Sequence, residues 1–293
     1  GNYEANLAMN KCDLMINVGA RFDDRVTGRL DAFSPDSIKF HIDIDQSSIN
    51  KNVKVDFHTN TDITMTLKEI NSFIESNNIE LEKKDYTNWW GQINDWRKKE
   101  CLHYEQGEEI IKPQHAISRL YDLTTQKDTF ITTEVGQHQM WAAQYYKFSK
   151  PNRWITSGGL GTMGFGMPAA VGAQMANPDS LVIDIAGEAS FLMNIQEIAT
   201  AVQYKLPIKI FILNNEYMGM VRQWQELLHG SRYSESYVDA LPDFKKLAES
   251  FNAVGVRAKN ISELDDAINE MVSIDRPVIA DIWVDKKENC FPM

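Results

Sequence analysis

The chain has 293 residues, 43% of them apolar, and a net charge of −11. That length holds one large domain or two ordinary ones, and no stretch approaches the roughly 18 consecutive apolar residues that a membrane-spanning helix needs. The acidic balance argues against a nucleic-acid surface, and Cys12, Cys101 and Cys290 show no CxxC or Cys/His spacing, so they are read as free thiols in a reducing, cytoplasmic compartment.

In chain order, the sequence opens without Met at Gly1-Asn2-Tyr3, directly into a helical stretch, and is read as a piece of a longer protein. Leu14 to Gly19 predicts a buried strand ending in glycine, and Lys39 to Ile44 an alternating strand. Asp62 to Phe73 predicts a helix with Ile63, Leu67 and Ile70 on its apolar face. The polar segment 76–110 predicts an amphipathic connecting helix whose Trp89, Trp90 and Trp96 seat it on a neighbouring domain. From Pro113, helices (113–123, after Met163, 191–206, 241–250, 261–273) alternate with strands (129–133, 154–157, 181–186, 208–213, 278–284). Such alternation predicts a mostly parallel sheet with helices on both faces. The helix after Met163 carries Gly164, Gly166, Ala169, Ala170, Gly172 and Ala173, which suit close packing on a sheet.

One spacing carries chemistry. Leu181 to Ala186 is followed by Gly187-Glu188-Ala189-Ser190, and Ile208 to Leu213 by Asn214-Asn215. In a parallel crossover both strand ends emerge at one sheet edge. A carboxylate oxygen from Glu188 and an amide oxygen from Asn215, 27 positions apart, can then meet on a hard cation such as Mg²⁺. The spacing alone leaves open a plain βαβ unit in which both residues cap helices or turns.

This stretch resembles the signature of enzymes that use thiamine diphosphate (ThDP), Gly-Asp-Gly and then Asn-Asn one βα unit later. Glu188 stands where that family usually has Asp, and Ala189 where it has the second Gly, which implies an altered metal affinity because Mg²⁺ tolerates little geometric error. Further motifs are similar to the catalytic subunit of acetohydroxyacid (acetolactate) synthases. They are Gly19-Ala20-Arg21-Phe22-Asp23-Asp24-Arg25, His41-Ile42-Asp43-Ile44-Asp45, Gly136-Gln137-His138-Gln139-Met140-Trp141, Ser157 to Gly166, and Asn214 to Trp224. The resemblance covers nearly the whole chain.

The resemblance implies an α/β protein: part of a central Rossmann-like domain (1–75), a connecting segment (76–110) and a ThDP-binding domain (111–293), with an N-terminal pyrimidine domain absent and the chain stopping a little short at Phe291-Pro292-Met293. Glu188, Asn215 and the Tyr217 carbonyl would ligate Mg²⁺; Gln137 and His138 would hold the diphosphate; Gly161, Thr162 and Met163 would meet the aminopyrimidine, Met163 as an apolar wedge under a bent cofactor. Gly187, Ala189, Ser190, Gly219 and Met220 complete the implied ThDP set, and Met220 and Trp224 the substrate channel. Gly19, Ala20, Arg21, Phe22, Asp23, Asp43, Ile44, Asp62 and Ile63 would lie near FAD in a non-redox role, at an incomplete site; read without the resemblance, Asp23 to Arg25 is a solvated charged turn, and Gly-Ala-Arg-Phe-Asp is not a GxGxxG loop.

The implied reaction decarboxylates pyruvate and joins the remainder to a second pyruvate or to 2-ketobutyrate, yielding 2-acetolactate or 2-aceto-2-hydroxybutyrate for branched-chain amino acids. The implied partners are these 2-ketoacids, further copies of the full-length subunit in a homodimer or tetramer, and a small regulatory subunit. The activating glutamate belongs to the missing domain; neither Glu134 nor Glu197 matches it. The chain alone is therefore expected to be inactive. Two alternatives stand: another ThDP-dependent decarboxylase, oxidase or carboligase, and a non-catalytic ThDP-like assembly module.

Overall fold

In the computed structural model, which describes residues 1–80 and 83–291, the chain separates into two compact units, Gly1–Leu102 and His103–Phe291. Leu81 and Glu82, within the expected connecting segment, and the last two positions, Pro292 and Met293, lie outside the described residues.

Unit 1 contains α1 (Tyr3–Lys11), β1 (Leu14–Val18), α2 (Asp24–Thr27), β2 (Ile38–Ile42), β3 (Phe57–Thr59), α3 (Ile63–Ser76) and α4 (Thr87–Arg97). The strands form a parallel sheet in the order β1-β2-β3. β3 was not expected from the sequence: three residues are too short to show a period. One sheet face is apolar and exposed at Leu14, Ile16, Ile38 and Phe57, while Ile42, on the same face, is buried. The other face is polar and buried. There Lys39 Nζ donates to the carbonyls of Ser34 (2.7 Å) and Ser37 (3.1 Å), and Asn17 Nδ2 to that of Ala20 (2.6 Å). Helix α3 forms as expected, but Leu67 and Ile70 of its apolar stripe remain exposed. Helix α4 packs on α1 inside this unit. Its Trp89 and Trp96 meet edge to face, while Trp90 stays exposed.

Unit 2 runs α5 (Pro113–Thr124), β4 (Thr129–Thr133), α6 (Gln137–Tyr145), β5 (Trp154–Thr156), α7 (Gly166–Ala176), β6 (Leu181–Ala186), α8 (Glu188–Phe191), α9 (Glu197–Gln203), β7 (Lys209–Asn214), α10 (Gly219–Leu228), α11 (Phe244–Ser250), β8 (Val254–Ala258), α12 (Ile261–Ser273) and β9 (Val278–Trp283). All six strands are parallel, in the order β5-β4-β6-β7-β9-β8. Every residue of β7 is buried, as a strand covered on both faces requires.

The pleat sorts the core into two layers. Ile183, Ile185, Phe211 and Leu213 pack with Ile117, Leu120 and Trp141 on one face. Val182, Ile210 and Ile212 pack with Met167, Phe191, Ile198 and Phe244 on the other. The small residues of α7 have unequal roles. A Cβ at Gly166 would lie 2.2 Å from Asp184 Oδ1 and 2.6 Å from the Glu134 nitrogen, so glycine lets α7 press on β4 and β6. A Cβ at Gly172 would meet nothing within 4 Å. The stretch 191–206 is not one helix: α8 already begins at Glu188, a 3₁₀ turn follows at Leu192–Asn194, and α9 starts at Glu197.

Candidate cofactor cleft

Strands β4, β6 and β7 are neighbours, so their carboxyl ends open side by side. β4 leads into Glu134-Val135-Gly136 and α6, β6 into Gly187 and α8, and β7 into Asn215-Glu216-Tyr217. Between these ends lies a partly open cleft of about 500 Å³, its solvent-filled mouth included. It is lined by Gln137, His138, Met163, Gly187, Glu188, Ala189, Ser190, Asn215, Tyr217, Gly219 and Met220, and also by Trp141 and Met218, which sequence reasoning did not single out. Gly161 and Thr162 lie on the exposed loop before Met163 and are not among its lining residues; nor is Trp224, one turn of α10 beyond Met220 and 40% exposed.

The two oxygens singled out from the spacing converge. Glu188 Oε1 and Asn215 Oδ1 each accept from the same donor, Tyr217 N–H, at 3.0 Å, so they lie at most twice that distance apart. Asn215 is aimed by its neighbours. Its Nδ2 faces Gln137 Oε1 at 3.5 Å, and Gln137 Nε2 in turn donates to Gln223 Oε1 at 2.7 Å. Gln137 thus spends its amide on protein partners. A Cβ at Gly219 would fall 2.0 Å from Gln137 Oε1, so α10 must begin on a glycine for this arrangement to fit. From behind, Asp281 Oδ1 accepts from Asn214 Nδ2 at 2.8 Å.

Burial governs the electrostatics of the site. Burial pushes the Glu188 carboxyl up to about 8, with the negative Asp281 adding to the rise and bonds from backbone N–H groups, Tyr217's among them, opposing it. Burial pushes the His138 imidazole down to about 3, so the ring is neutral at physiological pH. Its Nε2 has no hydrogen-bond partner, and neither has Trp141 Nε1. Buried polar groups rarely go unpaired, and both side chains line the cleft. The His138 ring fills the gap between two glycines: a Cβ would approach it to 2.7 Å from Gly136 and 2.6 Å from Gly187.

Among the described residues no group of three or more His, Cys, Asp or Glu gathers in a metal-binding arrangement. A cation here would rest on one carboxylate, one amide oxygen, main-chain oxygen and whatever its ligand brings. That donor set is all oxygen, which suits a hard ion.

Residues 134–282 match the model of the thiamine pyrophosphate enzyme C-terminal TPP binding domain, and residues 1–70 that of the central domain of the same enzymes. The chain belongs to the thiamine pyrophosphate enzyme family. Its relatives include the acetolactate synthase isozyme 3 large subunit of Escherichia coli (strain K12), at 44% identity, and the acetolactate synthase large subunits of Haemophilus influenzae and Cyanidium caldarium, each at 42%. In each case all of this chain is covered, and 51%, 51% and 50% of the relative respectively. The chain thus spans about half the length of the curated relatives it matches. The cleft described above lies within the residues that match the family's TPP binding domain.

The residues singled out in unit 1 sit at the carboxyl edge of its sheet: Gly19 to Asp23 after β1, Asp43 and Ile44 after β2, Asp62 and Ile63 after β3. Several hold the backbone there. Asp23 caps α2 through Arg25 N–H (3.1 Å), Asp62 caps α3 through Met65 N–H (3.1 Å), and Asp43 Oδ1 accepts from Asp45 N–H (2.8 Å). Phe22 is turned inward, its ring edge-on to Phe33 and His41, whereas Arg21 pairs with Asp23 at the surface and Ile44 is exposed. Among the described residues no helix is long and apolar enough to cross a membrane.

Proposed function

We propose that this chain supplies the diphosphate-binding half of an acetolactate synthase active centre. The carrying observation is the meeting of Glu188 Oε1 and Asn215 Oδ1 on Tyr217 N–H, beside the unpartnered Nε2 of His138. The names of the relatives support the choice of reaction: decarboxylation of pyruvate and ligation of the two-carbon remainder to a second 2-ketoacid, pyruvate or 2-ketobutyrate. When bound, ThDP would supply a cationic thiazolium ring that acts as the sink for the electron pair released when a ketoacid loses CO₂. The protein's part is binding and orientation. Glu188, Asn215 and the Tyr217 carbonyl hold Mg²⁺ against the diphosphate; an adjacent dication favours the ionised carboxylate that burial disfavours. His138, neutral and boxed by Gly136 and Gly187, directs a ring nitrogen at the same group. Met163 and Met220 line the cleft with apolar surface and exclude water from it.

In the same reading, unit 1 carries part of the central domain, with Gly19 to Asp23, Asp43, Ile44, Asp62 and Ile63 placed for FAD at the carboxyl edge of its sheet. The full-length protein works as an oligomer that brings a glutamate from another domain to the cofactor, so the isolated chain turns over no pyruvate. The test is to feed full-length protein pyruvate with ThDP, Mg²⁺ and FAD and to quantify acetolactate against acetaldehyde and acetate. Acetolactate as the main product supports the synthase. Acetaldehyde or acetate would move the chain to a decarboxylase or an oxidase, and acetolactate from the isolated chain would refute the missing glutamate.

A further inference from the structure

Glu134 closes β4 and is completely buried. Its Oε2 accepts from Gly164 N–H at 2.6 Å and from the Ser190 hydroxyl at 2.7 Å, and its Oε1 from Met167 N–H at 3.0 Å. Gly164 and Met167 closely follow Met163, which lines the cleft, and Ser190 belongs to the turn that begins at Gly187 and lines it too. One carboxylate therefore bonds both segments. A second tie runs the same way, from Asn194 Nδ2 to the Gly164 carbonyl at 2.6 Å.

The charge of this carboxylate has a clear place to stay. Asp184 lies next to it, wholly buried, and receives one bond, from Thr132 Oγ1 to its Oδ1 at 3.0 Å, while its Oδ2 has no partner. Burial and the charge of Glu134 hold the Asp184 carboxyl well above the usual carboxylate range, so Asp184 keeps its proton. Burial raises Glu134 too, but bonds from Met167 N–H, the Ser190 hydroxyl, Gly164 N–H and Gly166 N–H favour the ionised form, and bonds to an ionised acceptor are the strong ones.

We propose that Glu134 is a positioning residue that fixes the distance between the segment carrying Met163 and the turn Gly187–Ser190, so that the cleft has one width before ThDP arrives. The proposal rests on the reading that this cleft takes ThDP. A site whose walls are not held must be ordered at the moment of binding, and its affinity falls by the fraction of time it is out of shape.

The test uses Glu134→Gln in the full-length protein. The amide keeps the shape but turns an NH₂ toward groups that are themselves donors. Two quantities are read: ThDP affinity by calorimetry in the presence of Mg²⁺, and amide hydrogen exchange of residues 157–168 without cofactor. The expected result is a ThDP Kd raised about tenfold or more, the scale of a bond to a charged group lost. Exchange at 157–168 becomes faster while β7 and β9 stay protected, and kcat at saturating ThDP returns to within about twofold of the parent, because a width-setting role costs binding and not chemistry. An unchanged Kd with unchanged exchange, or a lost kcat at unchanged Kd, overturns the proposal. Should Glu134→Gln not fold, Ser190→Ala removes the bond to Glu134 together with the longer bonds that Ser190 Oγ accepts from Gly164 N–H (3.3 Å) and Val135 N–H (3.4 Å), and must also speed exchange at 157–168; unaltered exchange there refutes the clamp. Absence of ThDP binding by the parent protein would sink the cofactor reading, while the exchange data would still decide whether Glu134 ties the walls together.

Discussion

Replacing Gly187 by alanine tests the packing of the cleft. The backbone there has φ −103° and ψ 153°, a conformation open to any residue, so only space demands glycine. The new methyl would stand 2.6 Å from His138 Nδ1 and 2.8 Å from Cε1. Either the ring or the backbone at Gly187 must shift to make room, and a backbone shift carries the adjacent Glu188 with it. Forcing a methyl into a closed site costs about 1–3 kcal/mol. Denaturant unfolding followed by far-UV circular dichroism should lose that amount, and ThDP affinity should fall by at least about tenfold as Glu188 leaves Tyr217 N–H. Gly172→Ala is the internal control. Its Cβ meets nothing within 4 Å, and it lies inside α7, so the protein should gain about 0.5–1 kcal/mol. A Gly187→Ala protein with unaltered stability and cofactor affinity, or the same loss at Gly172, would refute the reasoning.

Three further outcomes follow from the same geometry. His138 has a folded pKa near 3 against an ordinary value of 6.5, so the unfolded chain takes the proton first; stability present above pH 6.5 should drain at up to about 1.4 kcal/mol per pH unit as pH falls from 6.5 toward 3, and His138→Gln should flatten that slope in an acid-unfolding series. Glu188→Gln should change metal-free stability at pH 7 by less than about 1 kcal/mol, since burial already keeps the carboxyl neutral there, yet weaken Mg²⁺-dependent ThDP binding at least about tenfold; undiminished binding would remove Glu188 from the ligand set. In unit 1, Ile16 is 57% exposed and Ile42 1% exposed; Ile16→Lys in this chain should cost under about 0.5 kcal/mol and Ile42→Lys more than about 4, and equal losses on unfolding would show that Ile16 is covered.

The parts of the fold legible in the sequence are those whose signal is periodic and local. LVIDIA and IKIFIL are apolar apart from Asp184 and Lys209 because β6 and β7 are covered on both faces, and their parallel pairing brings Glu188 and Asn215 to one edge by topology alone. The illegible parts depend on partners distant in sequence. Strand β8 reads Val-Gly-Val-Arg-Ala, and its Gly255, which lowers the strand signal, is needed because a Cβ there would come within 2.6 Å of the Lys245 backbone. Helix α6 has almost no amphipathic contrast, since Gln137 and His138 are buried alongside Trp141 and Ala142. In α3 the pattern was legible and its consequence was not: a stripe at Leu67 and Ile70 promises a buried face, but burial needs a second surface, and within unit 1 both residues stay exposed.

The candidate site divides along the same line. Glu188 and Asn215 could be singled out from spacing because each lies within two residues of the end of a buried strand, whereas His138, five residues past β4 and inside α6, was implied only by the resemblance. Glu134 follows a strand too, but what distinguishes it is the set of groups it bonds: Gly164, Met167 and Ser190 lie 30, 33 and 56 positions further on. Nothing periodic announces such convergence. The one available sign is chemical: an acid at the end of a buried strand, flanked by no basic residue, must find its donors elsewhere or lose its charge. Glu134 finds them in Gly164, Gly166, Met167 and Ser190, on two segments that flank the cleft. On that ground the residues that meet at a sheet edge can be read from strand ends, whereas those that tie distant segments together must be read from which buried charges the fold keeps satisfied.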